Sequence, residues 1–284
     1  MKIAALADIH GNLRALNIVL EDLQAWNPDL VYVLGDTINR GPKSPDCLQV
    51  IQTRASQAGW QVIKGNHEEY VLNFTQPDTP LSGPEYEILQ IVHWTYTRLT
   101  ENQISYNQAL PLEINQKPDG EQSLRAVHAS MQGIRAGIYP SMNPEQIREM
   151  IQPAPDLILV GHTHQPLVKK VDQTLVVNAG SVGMPFDGDH RTGYARIKIQ
   201  QGKIQAEIIR LQYDLEAAIN DFFESGFMDQ GGPMSRVVLT ELKLARPQLS
   251  HWNQAYYQAV IQEEISLQNA VNNFLQNPNQ TLAW

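Results

Sequence analysis

Short apolar runs recur through the first two thirds of the chain, at residues 3–7, 30–34, 61–63, 124–127 and 157–160, each with a glycine, aspartate or histidine at or just past its end. Runs of this length, bounded by turn residues, predict β-strands rather than helices. Between the first two, Leu13, Leu16, Val19, Leu20 and Leu23 recur at helical spacing. Gly41-Pro42 marks a turn, and a second helix is expected from about Ser44, before the run at 61–63. This strand-helix alternation predicts parallel strands joined by right-handed crossovers.

The alternation breaks at 71–109. Pro77, Pro80 and Pro84 punctuate a loop, and 86–99 then reads as an amphipathic helix with Ile88, Ile91, Val92 and Tyr96 on one side. A shorter helix follows at 101–108, so this segment is expected to be a helical insertion lying over the strand ends as a cap. The Pro118-Asp119-Gly120 turn predicts a hairpin between 112–114 and 123–127. Further strands are expected at 175–178, 194–200 and 204–211, the last two joined at Gln201-Gly202, which together suggest a second, partly antiparallel sheet. From Tyr213 the pattern is helical, most clearly at 255–275, and the tail beyond Asn277 is expected to be loose. The implied organisation is an α/β core over 1–211, with the insertion at about 71–109, followed by a helical segment over 212–284.

Bulk properties narrow the function. A chain of 284 residues can bury a large core. A net charge of −9 argues against a broad electrostatic grip on nucleic acid polymers. An acidic protein that handles anionic substrates must create local positive charge, and bound cations would do so. Cys47 is the single cysteine, which excludes an intramolecular disulfide and fits a cytoplasmic location. No run approaches the roughly 18 apolar residues of a membrane span. No secretory leader is expected either, because the first strand begins almost at once.

The chemistry lies at the strand ends, which sit side by side in a sheet, so residues distant in sequence converge there. In order, the runs deliver Asp8-x-His10, Gly35-Asp36, Gly65-Asn66-His67, His128 and Gly161-His162-Thr163-His164. Each motif alone has a plainer reading. Asp-x-His and Gly-Asp can simply begin turns. Asn66 can cap a helix, and a single histidine such as His128 is commonly structural. Taken together they supply carboxylate, imidazole and amide oxygen in proportions that suit two cations about 3.5–4 Å apart, the arrangement used for in-line phosphoryl displacement. Asp8, His10, Asp36, Asn66, His128, His162 and His164 are the seven candidate metal ligands.

This ordered set resembles the calcineurin-like metallophosphoesterase superfamily over residues 1 to about 211. The resemblance implies two packed β-sheets flanked by helices and a dinuclear centre. It implies one cation on Asp8, His10, Asp36 and His164, and another on Asp36, Asn66, His128 and His162, with Asp36 bridging. It gives His67 a substrate-facing role, stabilising the transition state or protonating the leaving group, and Arg40 a grip on the phosphate. Protein phosphatases of the superfamily carry aspartate where this chain has Asn39, which argues against a dedicated phosphoprotein phosphatase. Asn178-Ala179-Gly180-Ser181-Val182-Gly183 and Asp187-Gly188-Asp189 resemble a bacterial phosphodiesterase-like subgroup, with departures at Ala179 and near Phe186. That loop is expected to shape the metal pocket.

The expected activity is hydrolysis of a small phosphodiester or nucleotide-like substrate, through water activated by two divalent ions, Mn²⁺ or an Fe/Zn pair. Two rival readings stand beside it. One is phosphomonoesterase action, including on phosphoproteins; the other is a metal-stabilised scaffold that binds a partner.

Overall fold

A computed structural model of the chain describes residues 1–277, and the tail expected to be loose lies outside them. In chain order the first elements are β1 (Lys2–Leu6), α1 (Leu13–Trp26), β2 (Leu30–Val33), α2 (Ser44–Ala58), β3 (Gln61–Val62) and α3 (Asn66–Leu72). The insertion holds α4 (Pro84–Tyr96) and α5 (Glu101–Ala109). Then come β4 (Glu113–Gln116), β5 (Leu124–Val127), α6 (Pro144–Met150), β6 (Leu157–Val160), β7 (Leu167–Val171), β8 (Thr174–Asn178), β9 (Thr192–Gln200) and β10 (Lys203–Leu211). The last helices are α7 (Leu215–Glu224), α8 (Phe227–Gln230), α9 (Met234–Leu244), α10 (Leu249–Ile261) and α11 (Leu267–Gln276). Among the described residues, no helix is long and apolar enough to cross a membrane.

Two mixed five-stranded sheets form, in the orders β10-β9-β1-β2-β3 and β4-β5-β6-β8-β7. As the strand-helix alternation implied, β1, β2 and β3 are parallel, with Ile3 opposite Leu30 and Tyr32 opposite Gln61. The β9–β10 hairpin turns at Gln201 and Gly202, both at positive φ. It adds antiparallel to β1 in the first sheet rather than building the second. The second sheet is completed by β7, which the sequence pattern did not reveal. This edge strand alternates partly buried and exposed residues and carries adjacent lysines, Lys169 and Lys170. Lysine on a sheet edge discourages unwanted pairing and also dilutes the strand signal.

Strand alternation explains the layering. Ile3, Ala5 and Ala7 face the other sheet, where they meet Leu124, Ala126, Leu157, Leu159 and Val177. Ala4 and Leu6 face the opposite way, with Leu16, Val19, Leu23, Cys47 and Ile51 of α1 and α2. On the far side, Ile158, Val160 and Val176 pack with Ile147 and Met150 of α6. Central strands covered on both faces must be apolar throughout, which is why β1 and β6 read as unbroken runs.

A further apolar cluster belongs to helices. Ile88, Ile91, Val92 and Trp94 of α4 share it with Phe222, Phe227, Val237, Val238, Leu242, Trp252 and Val271 of the C-terminal helices. Ile38, Met184 and Phe186, from loops beyond the strand ends, belong to the same cluster. The insertion and the C-terminal segment therefore form one helical layer against the rim of the sheets. The helical run expected at 255–275 is broken. Residue Glu263 takes a positive φ, and Ser266 starts α11 by accepting a hydrogen bond from the Asn269 amide. A serine cap of this kind ends one helical register and begins another.

Candidate metal centre

The segments leaving β1, β2, β3, β5 and β6 carry every ligand of the predicted constellation, Asn66 and His67 standing at the start of α3. Backbone conformation there is unusual: Asp8, His10, Asp36, His162 and His164 have φ of 54°, 47°, 53°, 68° and 56°. Left-handed non-glycine residues cost of order 1–3 kcal/mol each and persist only where surroundings enforce them. Hydrogen bonds between loops do this. The His10 amide donates to the Asp36 carbonyl at 2.9 Å, and the Asp8 amide to the Gly35 carbonyl at 3.2 Å. The Asp8 carbonyl accepts from Ser181 Oγ at 2.7 Å and from the Gly183 amide at 3.0 Å. Asn178 Nδ2 donates to the Gly161 carbonyl at 2.9 Å and to Thr163 Oγ1 at 2.8 Å. The 178–183 loop thus braces the segments that carry Asp8 and the His162–His164 pair. Glycine in two motifs has a steric cause: a Cβ on Gly65 would collide with Asp36 Oδ1, and one on Gly161 would lie 2.9 Å from Asp8 Oδ2.

All seven predicted ligand side chains converge. Asp8, His10 and His164 form one group and Asp36, His128 and His162 another, the ligand atoms within each lying within 4.8 Å of one another. In the first, His10 Nε2 and His164 Nε2 are 3.1 Å apart, and Asp8 Oδ1 lies 4.0 and 3.6 Å from them. In the second, Asn66 Oδ1 is 2.9 Å from both His128 Nε2 and His162 Nδ1. Asp36 Oδ2 lies between the groups, 3.7 Å from His10 Nε2 and 3.3 Å from His128 Nε2. Two ligands bound to one ion at about 2.0–2.2 Å are themselves separated by roughly 3–3.5 Å, close to these spacings.

Four of the ligand atoms not turned inward are held by the protein, while His10 Nδ1 is buried without a hydrogen-bond partner. His128 Nδ1 donates to the Leu34 carbonyl at 2.7 Å and His164 Nδ1 to the Met184 carbonyl at 2.5 Å, so each ring turns Nε2 inward. Asp8 Oδ2 accepts from the His162 amide and Asp36 Oδ1 from the His67 amide, at 2.9 and 2.8 Å. Asp8 Oδ1 is buried without a hydrogen-bond partner, although a buried polar atom ordinarily has one. An unpaired carboxyl oxygen facing two imidazole nitrogens fits a cation.

Burial governs the electrostatics. It pushes the Asp8 carboxyl well above the usual range and holds His10 and His164 well below theirs. His162 falls to about 4 for the same reason. Neutral imidazole is the form that binds metal. His128 is the exception: burial opposes its charge, but the Asp36 carboxylate beside it lifts the ring to about 10.

His67 stands edge-on to His10, ring centres 4.7 Å apart, and also forms a ligand-like group with His10 and Asp36. Both its nitrogens already face donors. Asn39 Nδ2 lies 2.8 Å from Nδ1, and Arg40 Nε 3.3 Å from Nε2. Asn39 Oδ1 accepts from the Arg40 amide, which orients the amide so that NH₂ points at His67. The shorter contact places the lone pair of a neutral His67 on Nδ1 and its proton on Nε2. Burial, with Arg40 adding to it, lowers the ring to about 3. Arg40 itself pairs through Nη1 with Glu241 Oε2, and its guanidinium lies 5.5 Å from the Phe186 ring centre.

Two residues of this neighbourhood were not singled out from the sequence. Glu68 is fully buried and accepts from four backbone amides, those of Asp36, Thr37, Ile38 and Gly65, at 2.8–3.3 Å. It clamps the Asp36 loop to the start of α3. A glutamate at the third position of a helix is a capping-box signal and could have revealed it. Glu241 had no such signal, because its partner stands 201 positions away.

Comparisons with known proteins identify the family. A sequence profile described as the calcineurin-like phosphoesterase superfamily domain matches residues 1–202. An uncharacterized protein of Methanocaldococcus jannaschii is 28% identical over 231 residues, spanning 76% of this chain and 89% of that protein. The phosphodiesterase YfcE of Escherichia coli is 25% identical over 199 residues, 66% of this chain and 83% of its own length. The crystal structure of a metallophosphoesterase from Sphaerobacter thermophilus superposes with a TM-score of 0.66 at 26% identity, covering 86% of this chain and all of that one. The chain belongs to the calcineurin-like phosphoesterase superfamily and is a hydrolase acting on phosphate ester bonds.

Proposed function

We propose that the chain is a two-metal phosphoesterase of small phosphodiester or nucleotide-like substrates. Family membership implies divalent metal ions. The observation that carries the dinuclear reading is Asp36 Oδ2, which stands within 3.7 Å of one ligand group and 3.3 Å of the other. Asp8, His10, Asp36 and His164 would hold one ion; Asp36, Asn66, His128 and His162 would hold the second. Two such ions lower the pKa of water and neutralise charge on the phosphoryl oxygens. His67 offers a neutral Nε2–H to the phosphoryl or leaving oxygen, its ring oriented by the donated bond from Asn39. Arg40, beside His67, offers its remaining guanidinium nitrogen to a phosphate oxygen.

The diester preference is supported by the similarity to YfcE, a protein named a phosphodiesterase, over 66% of the chain. It is supported again by Asn39: an amide donor beside His67 replaces the carboxylate that would favour an imidazolium. The test compares bis-p-nitrophenyl phosphate with p-nitrophenyl phosphate in Mn²⁺. The expected result is a higher kcat/KM for the diester. A monoester preference would transfer the reading to phosphomonoesterases. Hydrolysis of neither, with two ions bound per chain, would favour a scaffold.

A further inference from the structure

We propose that Glu241, from the C-terminal helical segment, is a specificity-determining residue that disfavours doubly charged monoester phosphates by neutralising Arg40 and occupying part of its fork. The proposal rests on the phosphoesterase reading above and deepens it.

Glu241 lies in α9 and is 1% exposed. Its Oε1 accepts from the amides of Gln248 and Leu249, each at 2.8 Å, at the start of α10. Its Oε2 accepts from Arg40 Nη1. Two backbone donors and a guanidinium hold the carboxylate in one place. Arg40, 13% exposed, is the one Lys or Arg among the described residues whose side chain is seen to reach a predicted site residue, its Nε 3.3 Å from His67 Nε2. The pair also lies against Phe186, whose ring stacks on that of His164 with centres 4.1 Å apart. Glu241 therefore acts close to the reaction centre, although it lies far from every motif in sequence.

Two consequences follow from chemistry. A guanidinium grips a phosphate dianion best through two parallel N–H bonds from one edge. Here Nη1 is taken by Glu241 and Nε faces His67, so Nη2 is the one terminal arm with no hydrogen bond to a described residue. A single arm suits one non-bridging oxygen. The second consequence is charge. A phosphomonoester approaches a double negative charge above its second pKa of about 6, whereas a diester carries one negative charge. A fixed carboxylate beside Arg40 subtracts more attraction from the dianion than from the monoanion. The same contact explains what the C-terminal helices bring to the reaction: α9 supplies the carboxylate, and α10 holds it.

The experiment uses full-length, Mn²⁺-loaded protein with Glu241→Gln and Glu241→Ala. Gln keeps an acceptor for the α10 amides, and Ala removes the side chain, so an effect common to both belongs to the charge. The ratio of kcat/KM for p-nitrophenyl phosphate to that for bis-p-nitrophenyl phosphate should rise about tenfold in both variants. Inorganic phosphate, titrated by calorimetry, should bind about tenfold more tightly. In an Arg40→Gln background, removing Glu241 should change phosphate affinity less than about threefold. An unchanged ratio and phosphate affinity, or a parallel loss on both substrates, would overturn the proposal. Should the wild-type protein hydrolyse neither ester, the functional reading fails by itself, and the phosphate titration still reports on Glu241 directly.

Discussion

The two ligand groups differ in what stands behind them. The Asp8–His10–His164 group faces the helical layer: Phe186 stacks on His164, Met184 accepts its Nδ1–H, and both residues belong to the helical cluster. The Asp36–Asn66–His128–His162 group instead leans on the sheets and on α3, through the Leu34 carbonyl and the Glu68 clamp. Its outermost member, His162, is the one predicted ligand that is not fully buried. One group is thus closed over by helices and the other reaches the surface. Strand ends build the cation pocket, and the helical layer decides which side of it stays open.

In the proposed two-metal reading Asp36 is the one residue the two halves share, so the largest expected effect is there. Asp36→Asn should lower kcat/KM about 10⁴-fold, roughly 5 kcal/mol, and reduce bound metal below one ion per chain by elemental analysis. If only one ion were lost, with the other held normally, Asp36 would belong to one group alone. His67 touches neither half as an expected ligand. His67→Ala should cost 10²- to 10⁴-fold in kcat while both ions remain, a range typical of a positioned proton donor. Loss of an ion in that variant would place His67 among the ligands, with His10 and Asp36. The gentlest test is chelation. With excess EDTA, metal loss should be biphasic, the faster phase removing one ion from the His162 side at about ten times the slower rate. Equal rates would mean that the helical layer does not seal the first group.

The legible part of the molecule is the part built from covered parallel strands. β1 and β6 are apolar on both faces, so their ends could be located, and a glycine preceding Asp36, Asn66 and His162 marks where a neighbouring segment leaves no room for a side chain. The ligand set followed because each motif follows such an end. What was hidden depends on partners distant in sequence. The β9–β10 hairpin could be read, but not its choice of β1 over the second sheet, because register between remote strands leaves no local mark. β7 was masked by its edge lysines, and the α10–α11 break by an apolar spacing that continues across Ser266. Glu241 looked like any polar residue of an amphipathic helix. Its meaning comes from Arg40, held at positive φ beside the cation pocket and reached only when the C-terminal helices fold back. Such contacts are specific to one tertiary arrangement, and no periodicity encodes them.

The central claim, that one pocket holds two cations sharing Asp36, is tested most directly by anomalous diffraction from crystals of the Mn²⁺-loaded protein. The account predicts two peaks about 3.5–4 Å apart, one beside Asp8, His10 and His164, the other beside Asn66, His128 and His162, with Asp36 reaching both. A single peak at saturating metal, or two peaks with Asp36 bound to only one, would contradict it.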